Sequence, residues 1–191
     1  MIIKQLLILL FRLITEPNKT WHHLAEKGDK NNENFYKSYL YPVIGIIALT
    51  AFIGTLISVE KFDVQKALKI VIKQIGVYFG SFYLSSVILS EFVIRRFTGI
   101  KDTLLCERFV GYSSALIYTV AIVKSLFPSL FFLPLVVIYS VYMIWAGAAD
   151  YLKIKEEDLY KTTIGSSLVL LFLPWLIEVL IELWMPGMKI K

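Results

Sequence analysis

Beyond residue 37, long uncharged apolar runs alternate with short charged segments along the chain. A helix needs roughly 20 apolar residues, at about 1.5 Å each, to cross about 30 Å of hydrocarbon. Ser38 to Val59 meets that length, between Lys37 and Glu60. Gln74 to Ser90 follows, bounded by Lys73 and by Glu91, Arg95 and Arg96. Phe109 to Val123 is shorter and closes at Lys124; Pro128 then breaks the helix, and a fourth run reaches Ala149 before Asp150. The fifth runs from Thr162 to about Ile181, interrupted late by Glu178 and Glu182. The pattern predicts an all-α, polytopic membrane helix bundle with five transmembrane helices. The third and fourth runs leave two arrangements open: two full spans with a tight turn, or a re-entrant hairpin from one side. Both set Lys124 near an interface, where its stem can snorkel, and both return the chain to the same face.

The first 37 residues follow a different pattern. Met1 to Ile14 is apolar enough for a signal peptide, but the stretch between Lys4 and Arg12 is short and Thr15-Glu16-Pro17 is no small-residue cleavage site. At about 100° per residue, Lys4, Gln5, Arg12, Thr15 and Glu16 share one sector, while Ile3, Leu6, Leu7, Leu10 and Ile14 lie elsewhere. This is the pattern of an amphipathic helix lying in the interface plane. Pro17 opens a second helix that Gly28 would cap, and a polar linker follows. Phe35, Tyr36, Tyr39 and Tyr41 then lead into the first span as an aromatic belt. The expected organisation is residues 1–37 as interfacial helices and linker, 38–185 as the five-span domain and 186–191 as a short tail.

Composition agrees with a lipid solvent. Of the 191 residues, 57% are hydrophobic and 18% charged, against about 45–50% and about 25% in soluble domains. The length leaves no room for a separate soluble domain of ordinary size. The net charge of +5 is spread over short loops rather than gathered in one patch. That excludes nucleic acid as a partner and points to anionic lipid headgroups. With five spans, the N-terminal side holds 13 of the 20 Lys and Arg residues and the opposite side 7. The richer side is expected in the cytoplasm, which puts the N-terminus inside and the C-terminus outside. Lys-, Ile- and Asn-rich usage points to a bacterial source and so to the plasma (inner) membrane.

Candidate chemistry is sparse. Glu178 and Glu182, four apart, share a face of the fifth helix, and carboxylates within a span often mark a proton or ion path. Their place near the span's outer end, beside Trp184 and before Pro186-Gly187, equally allows plain solvation by water and headgroups. Glu91 and Arg95, also four apart, are expected to form an interfacial ion pair. His22 and Glu26 share a helix face beside His23, but a catalytic zinc needs a third ligand and there is no other His. Cys106 is the sole cysteine, which excludes an internal disulfide, and no His neighbours it as a base. Asn18-Lys19-Thr20 is a glycosylation sequon on the expected cytoplasmic side, where it is not used. Gly76 and Gly80, with Ser81 and Ser85, form a small-residue strip on the second span; Gly45, Ala48, Ala51 and Gly54 do so on the first. Such strips let helices approach closely, within one chain or between copies. No phosphate-binding glycine loop, serine elbow or soluble carboxylate pair is present, so neither enzyme activity nor a cofactor is expected.

Several segments resemble one family. Pro17-Asn18-Lys19-Thr20-Trp21, the short helix and linker after it, and the aromatic lead-in ending Tyr41-Pro42 are similar to the start of Yip-domain (Yip-one, Ypt/Rab-interacting) proteins. Gly111-Tyr112-Ser113-Ser114-Ala115-Leu116, the Pro128 turn, Trp145-Ala146-Gly147 and the closing span Gly165 to Trp184 look like the same domain. The resemblance covers nearly the whole chain and is one of layout more than of particular residues. It implies five spans, a cytoplasmic N-terminus and a non-cytoplasmic C-terminus. Eukaryotic members contact small GTPases in vesicle traffic. This chain lacks their Asp-Leu-Tyr-Gly-Pro motif and has almost no cytoplasmic N-terminal domain, so it looks more like the short bacterial branch. GTPase binding and functional residues are not carried over. The expected role is organisation of membrane partners, homo-oligomers or lipids; the alternative is a small proton-linked transporter or channel using Glu178 and Glu182.

Overall fold

A computed structural model of the chain describes residues 2–27, 32–58, 63–95 and 102–185, which are helical with short connections. The expected Gly28 cap, most of the polar linker and the 186–191 tail lie outside the described residues. Helices α1 (Ile2–Thr15) and α2 (Pro17–Lys27) come first. A continuous rod follows: α3 (Asn32–Phe35), a π-helical turn over Tyr36–Leu40, and α4 (Tyr41–Ser58). The next rod, α5 (Val64–Ile88), continues through a π-helical turn over Leu89–Ile94. It starts well before Gln74, because the Asp63 carboxylate accepts from the Gln65 and Lys66 N–H groups and caps it. Its 31 residues run for about 46 Å, longer than the hydrocarbon is thick.

The third apolar run also begins earlier than its hydrophobicity does. Asp102 accepts from the Leu105 N–H at 3.0 Å and caps α6 (Thr103–Ser113), which α7 (Ala115–Leu126) continues after a bend of 40°. The bend falls at Ser114, whose Oγ donates to the Val110 carbonyl at 2.8 Å. Serine back-bonding of this kind bends helices. The chain turns through residues 127–132, with Pro128 inside the turn. It rises again through α8 (Leu133–Val136), a 3-10 turn over Val137–Tyr139 and α9 (Ser140–Asp150). Lys153, at φ 51°, helps close the connection to α10 (Glu156–Trp184), whose first turn carries Glu156, Glu157 and Asp158. Those acids complement the positive end of the helix dipole.

Among the described residues, four rods are long and apolar enough to cross a bilayer, and α6–α7 taken as one bent crossing makes five. Leu49, Ile57, Val87, Phe92, Leu168, Phe172 and Leu183 are each more than half exposed on the outside of these rods. An apolar exterior of this extent is stable against lipid and costly against water. The chain is a multi-pass, all-α membrane protein.

Large aromatic side chains gather in the core where the N-terminal helices meet the bundle. Trp21 of α2 is fully buried, its Nε1 donates to the Met143 carbonyl at 3.0 Å, and its ring lies 5.8 Å from Phe109 and 5.3 Å from Tyr151. A Cβ on Gly147 would come within 2.6 Å of that indole. Beside it, Phe35 lies 5.3 Å from Tyr112 and 5.6 Å from Tyr39, and a Cβ on Gly111 would meet Phe35 at 2.5 Å. The apolar side of α1 is divided. Leu6, Leu10 and Leu13 are buried in the same core, whereas Ile3, Leu7 and Phe11 face outward. A helix expected to offer its apolar stripe to lipid thus spends half of it on the protein.

Candidate functional site

The strongest polar cluster inside the spans joins α5 to α10. These helices run antiparallel, with Ile181 set 3.2 Å from a Cβ built on Gly76 and Ile177 3.6 Å from one on Gly80. Lys73 lies three residues before Gly76 and seven before Gly80, so helical periodicity puts all three on the face toward α10. On α10, Glu178 and Glu182 each follow one of the two isoleucines. The Lys73 Nζ donates to Glu178 Oε1 at 2.7 Å and to Glu182 Oε1 at 2.6 Å. The Lys73 side chain is 10% exposed, the carboxylates 45% and 32%. One ammonium therefore holds both acids. Neither is left to water and headgroups alone.

The partner was missed because Lys73 looks like a span boundary. The signal lay in its phase: it occupies the same helical face as the Gly76 and Gly80 strip, which is where a neighbouring helix must sit.

Next to this cluster a cleft of about 280 Å³ lies between α4, α5, α7 and α10. Lys66, Gln74, Tyr78, Lys124 and Glu178 are among its polar groups, with Thr55 and Ser125, and Ala51 and Val77 are among its apolar lining. Ala51 is seven residues from the end of α4, so the cleft penetrates about 10 Å along the bundle.

The remaining sequence candidates have structural settings. Gly54 lies hard against the end of α7, where a Cβ would sit 1.9 Å from the Ser125 carbonyl oxygen. Gly45 has nothing within 4 Å of a built Cβ and faces open space. Arg95 donates to Glu91 at 2.5 Å, the ion pair their spacing predicted. His22 Nδ1 lies 3.5 Å from Glu26 Oε1 on an exposed face. No group of three or more His, Cys, Asp or Glu among the described residues could hold a metal ion. Cys106 is buried in the core. Ser113, Ser140, Thr162, Thr163, Ser166 and Ser167 bury hydroxyls that have no hydrogen-bond partner among the described residues.

None of the curated proteins compared, and none of the solved structures, matches the chain. The family model described as the Yip1 domain matches residues 11–177. That match runs from the last turns of α1 to the residue before Glu178 on α10 and takes in the Trp21, Gly111 and Gly147 contacts that seat the N-terminal helices on the bundle. Three of the segments that resembled the family in sequence, around Trp21, Gly111 and Gly147, meet in this core, and the chain belongs to the Yip1-domain family of multi-pass membrane proteins.

Proposed function

We propose that this Yip1-domain chain is a non-enzymatic organiser of membrane partners or lipids, set in a plasma (inner) membrane with its N-terminus in the cytoplasm and its C-terminus outside. The observation that carries the reading is the use of both intramembrane carboxylates by Lys73. A proton or ion path needs carboxylates that bind and release charge, and here one lysine compensates two of them within a helix contact. The charge asymmetry of 13 basic residues against 7 supports the orientation. Gly45, open to the outside of α4, supports association with a second copy or another membrane protein, because a small residue there lets a helix approach. Purification in native lipid discs tests the reading. Stable self-association or a reproducible membrane partner is expected, and a strictly monomeric, partner-free particle counts against it.

One observation favours a second reading, a proton-linked transporter or channel: Glu178 also lines the cleft between α4, α5, α7 and α10. If that cleft is a transport path, replacing Glu178 and Glu182 by Gln abolishes a proton-coupled flux in proteoliposomes. Unchanged flux removes the idea.

A further inference from the structure

Helix α1 packs against α2 and also against α4 and α7, which belong to rods that cross the bilayer. The α6 segment that precedes α7 has 11 residues, so α7 begins about 16 Å along its rod. Contact with α7 therefore sets α1 alongside the spans rather than across the ends of the bundle.

The sides of α1 differ in character. At about 100° per residue, Leu6, Leu10 and Leu13 point one way, and these are the residues buried in the core. Ile3, Leu7 and Phe11 centre about 90° to one side of them and are 60%, 51% and 67% exposed. Gln5, Arg12 and Glu16 centre about 110° to the other side and are exposed as well. The two uncovered flanks are thus nearly opposite, one apolar and one polar, with Lys4 and Ile8 between them. On the polar flank, Gln5 and Arg12 line a hollow together with Ser38 and Arg108. The apolar flank points away from that hollow.

Opposite apolar and polar flanks fit a boundary between lipid and water. An interfacial helix sinks its apolar face about 5–10 Å into the headgroup and acyl region and keeps its polar face wet. Lipid already surrounds α4, where Leu49 and Ile57 are exposed. Lys4, beside the apolar flank, has a stem long enough to keep its ammonium among headgroups. In one respect α1 differs from a free interfacial helix: its leucines fix it to the bundle, so the protein sets its depth and rotation.

We propose that α1 is a fixed membrane wedge. It lays Ile3, Leu7 and Phe11 in the leaflet on its own side of the bundle and so favours membrane that is convex on that side. The rods displace lipid in both leaflets, whereas α1, about 21 Å long, adds volume to one. Interfacial helices respond to curvature through this asymmetry. The match to the family model begins at residue 11, so Ile3 and Leu7 lie ahead of it. The proposal gives the lipid-organising reading a physical means and rests on that reading for the sorting it predicts; the insertion follows from the fold.

Two measurements on the full chain test it, both in a Cys106→Ala background. Nitroxide labels on Phe11→Cys and on Gln5→Cys, in liposomes of phosphatidylcholine and phosphatidylglycerol, report whether oxygen or a water-soluble nickel chelate reaches each flank. Oxygen is expected to dominate at position 11 and the chelate at position 5. Chelate dominance at position 11 puts that flank in water, and shielding from both reagents puts it against protein, a second copy included; either result overturns the proposal. For sorting, Glu26→Cys, at an exposed position on α2, is labelled from outside giant vesicles with an impermeant dye, which marks molecules with that side outward. These molecules should be enriched in a narrow tether pulled from the vesicle. Adding Ile3→Gln/Leu7→Gln/Phe11→Gln, at exposed positions and with a good helix former, should abolish the enrichment. Equal enrichment with and without the three replacements, or no enrichment at all, overturns the wedge even where the labels show insertion. Self-association or a copurifying partner in native lipid discs would then still uphold the organiser reading, which fails only if that too is absent.

Discussion

Replacing Lys73 by Met removes the ammonium that bonds both Glu178 and Glu182, and leaves the apolar contacts of its stem nearly intact. Two charge-assisted bonds are lost, at 2.7 and 2.6 Å, from a side chain that is 10% exposed. Fully exposed ion pairs contribute about 0.2–1 kcal/mol, whereas stripping one partner from a fully buried pair costs about 3–5 kcal/mol. Here the lysine is buried and the carboxylates are about one third to one half exposed, so the cost lies between these limits, at about 2 kcal/mol. The remaining acids are like charges four residues apart on one helix, which adds a few tenths of a kcal/mol. Removing those charges as well should recover most of the loss, because the penalty comes from carboxylates that have lost the Lys73 ammonium rather than from missing packing. Lys73→Met, Glu178→Gln/Glu182→Gln and the combined triple variant form the cycle. Unfolding in mixed micelles against increasing denaturing detergent, followed by Trp fluorescence, measures it; Trp175 and Trp184 lie on α10 as reporters. A Lys73→Met protein within about 0.5 kcal/mol of wild type, or a triple variant no more stable than Lys73→Met, refutes the reasoning.

The two glycines of the first span should behave in opposite ways. Gly54→Ala drives a methyl into the Ser125 carbonyl and should lower the unfolding temperature or yield of the purified protein sharply, whereas Gly45→Ala, in open space, should leave stability unchanged or raise it by up to about 1 kcal/mol through helix propensity. Trp21→Ala should cost about 3–5 kcal/mol in the same unfolding assay, and Trp21→Phe should retain part of the packing while losing the bond to the Met143 carbonyl. Ser166→Ala and Ser167→Ala remove hydroxyls that have no hydrogen-bond partner among the described residues and should be neutral or stabilising by up to about 1 kcal/mol; a loss of stability above about 1 kcal/mol would show that these hydroxyls are bonded in the membrane.

Much of the architecture was legible in one dimension because a bilayer imposes a one-dimensional rule. Each crossing needs its own uninterrupted apolar run, and every backbone polar group must be bonded within it, so run lengths and flanking charges reveal the helices. The Glu91–Arg95 pair was legible for the same local reason, since a spacing of four on one helix brings the groups together whatever surrounds them. Element starts were less visible. Asp63 and Asp102 cap α5 and α6 well before the apolar runs begin, and Ser114 bends a helix that hydrophobicity alone leaves straight.

What the sequence by itself determined is the solvent, the helical class and the approximate crossings, all of which follow from chain-local burial and periodicity. What only the tertiary structure decided is which side chains far apart in the chain meet. Lys73 finds Glu178 and Glu182 about a hundred residues on, and Trp21 reaches across to Gly147. The apolar side of α1 divides between core and exterior, and Gly54 is enclosed while Gly45 is open. Helix periodicity states which residues share a face, but it is silent about which helix that face will meet. That choice is made by packing, where glycine hollows, indole volume and one buried charge must fit at once.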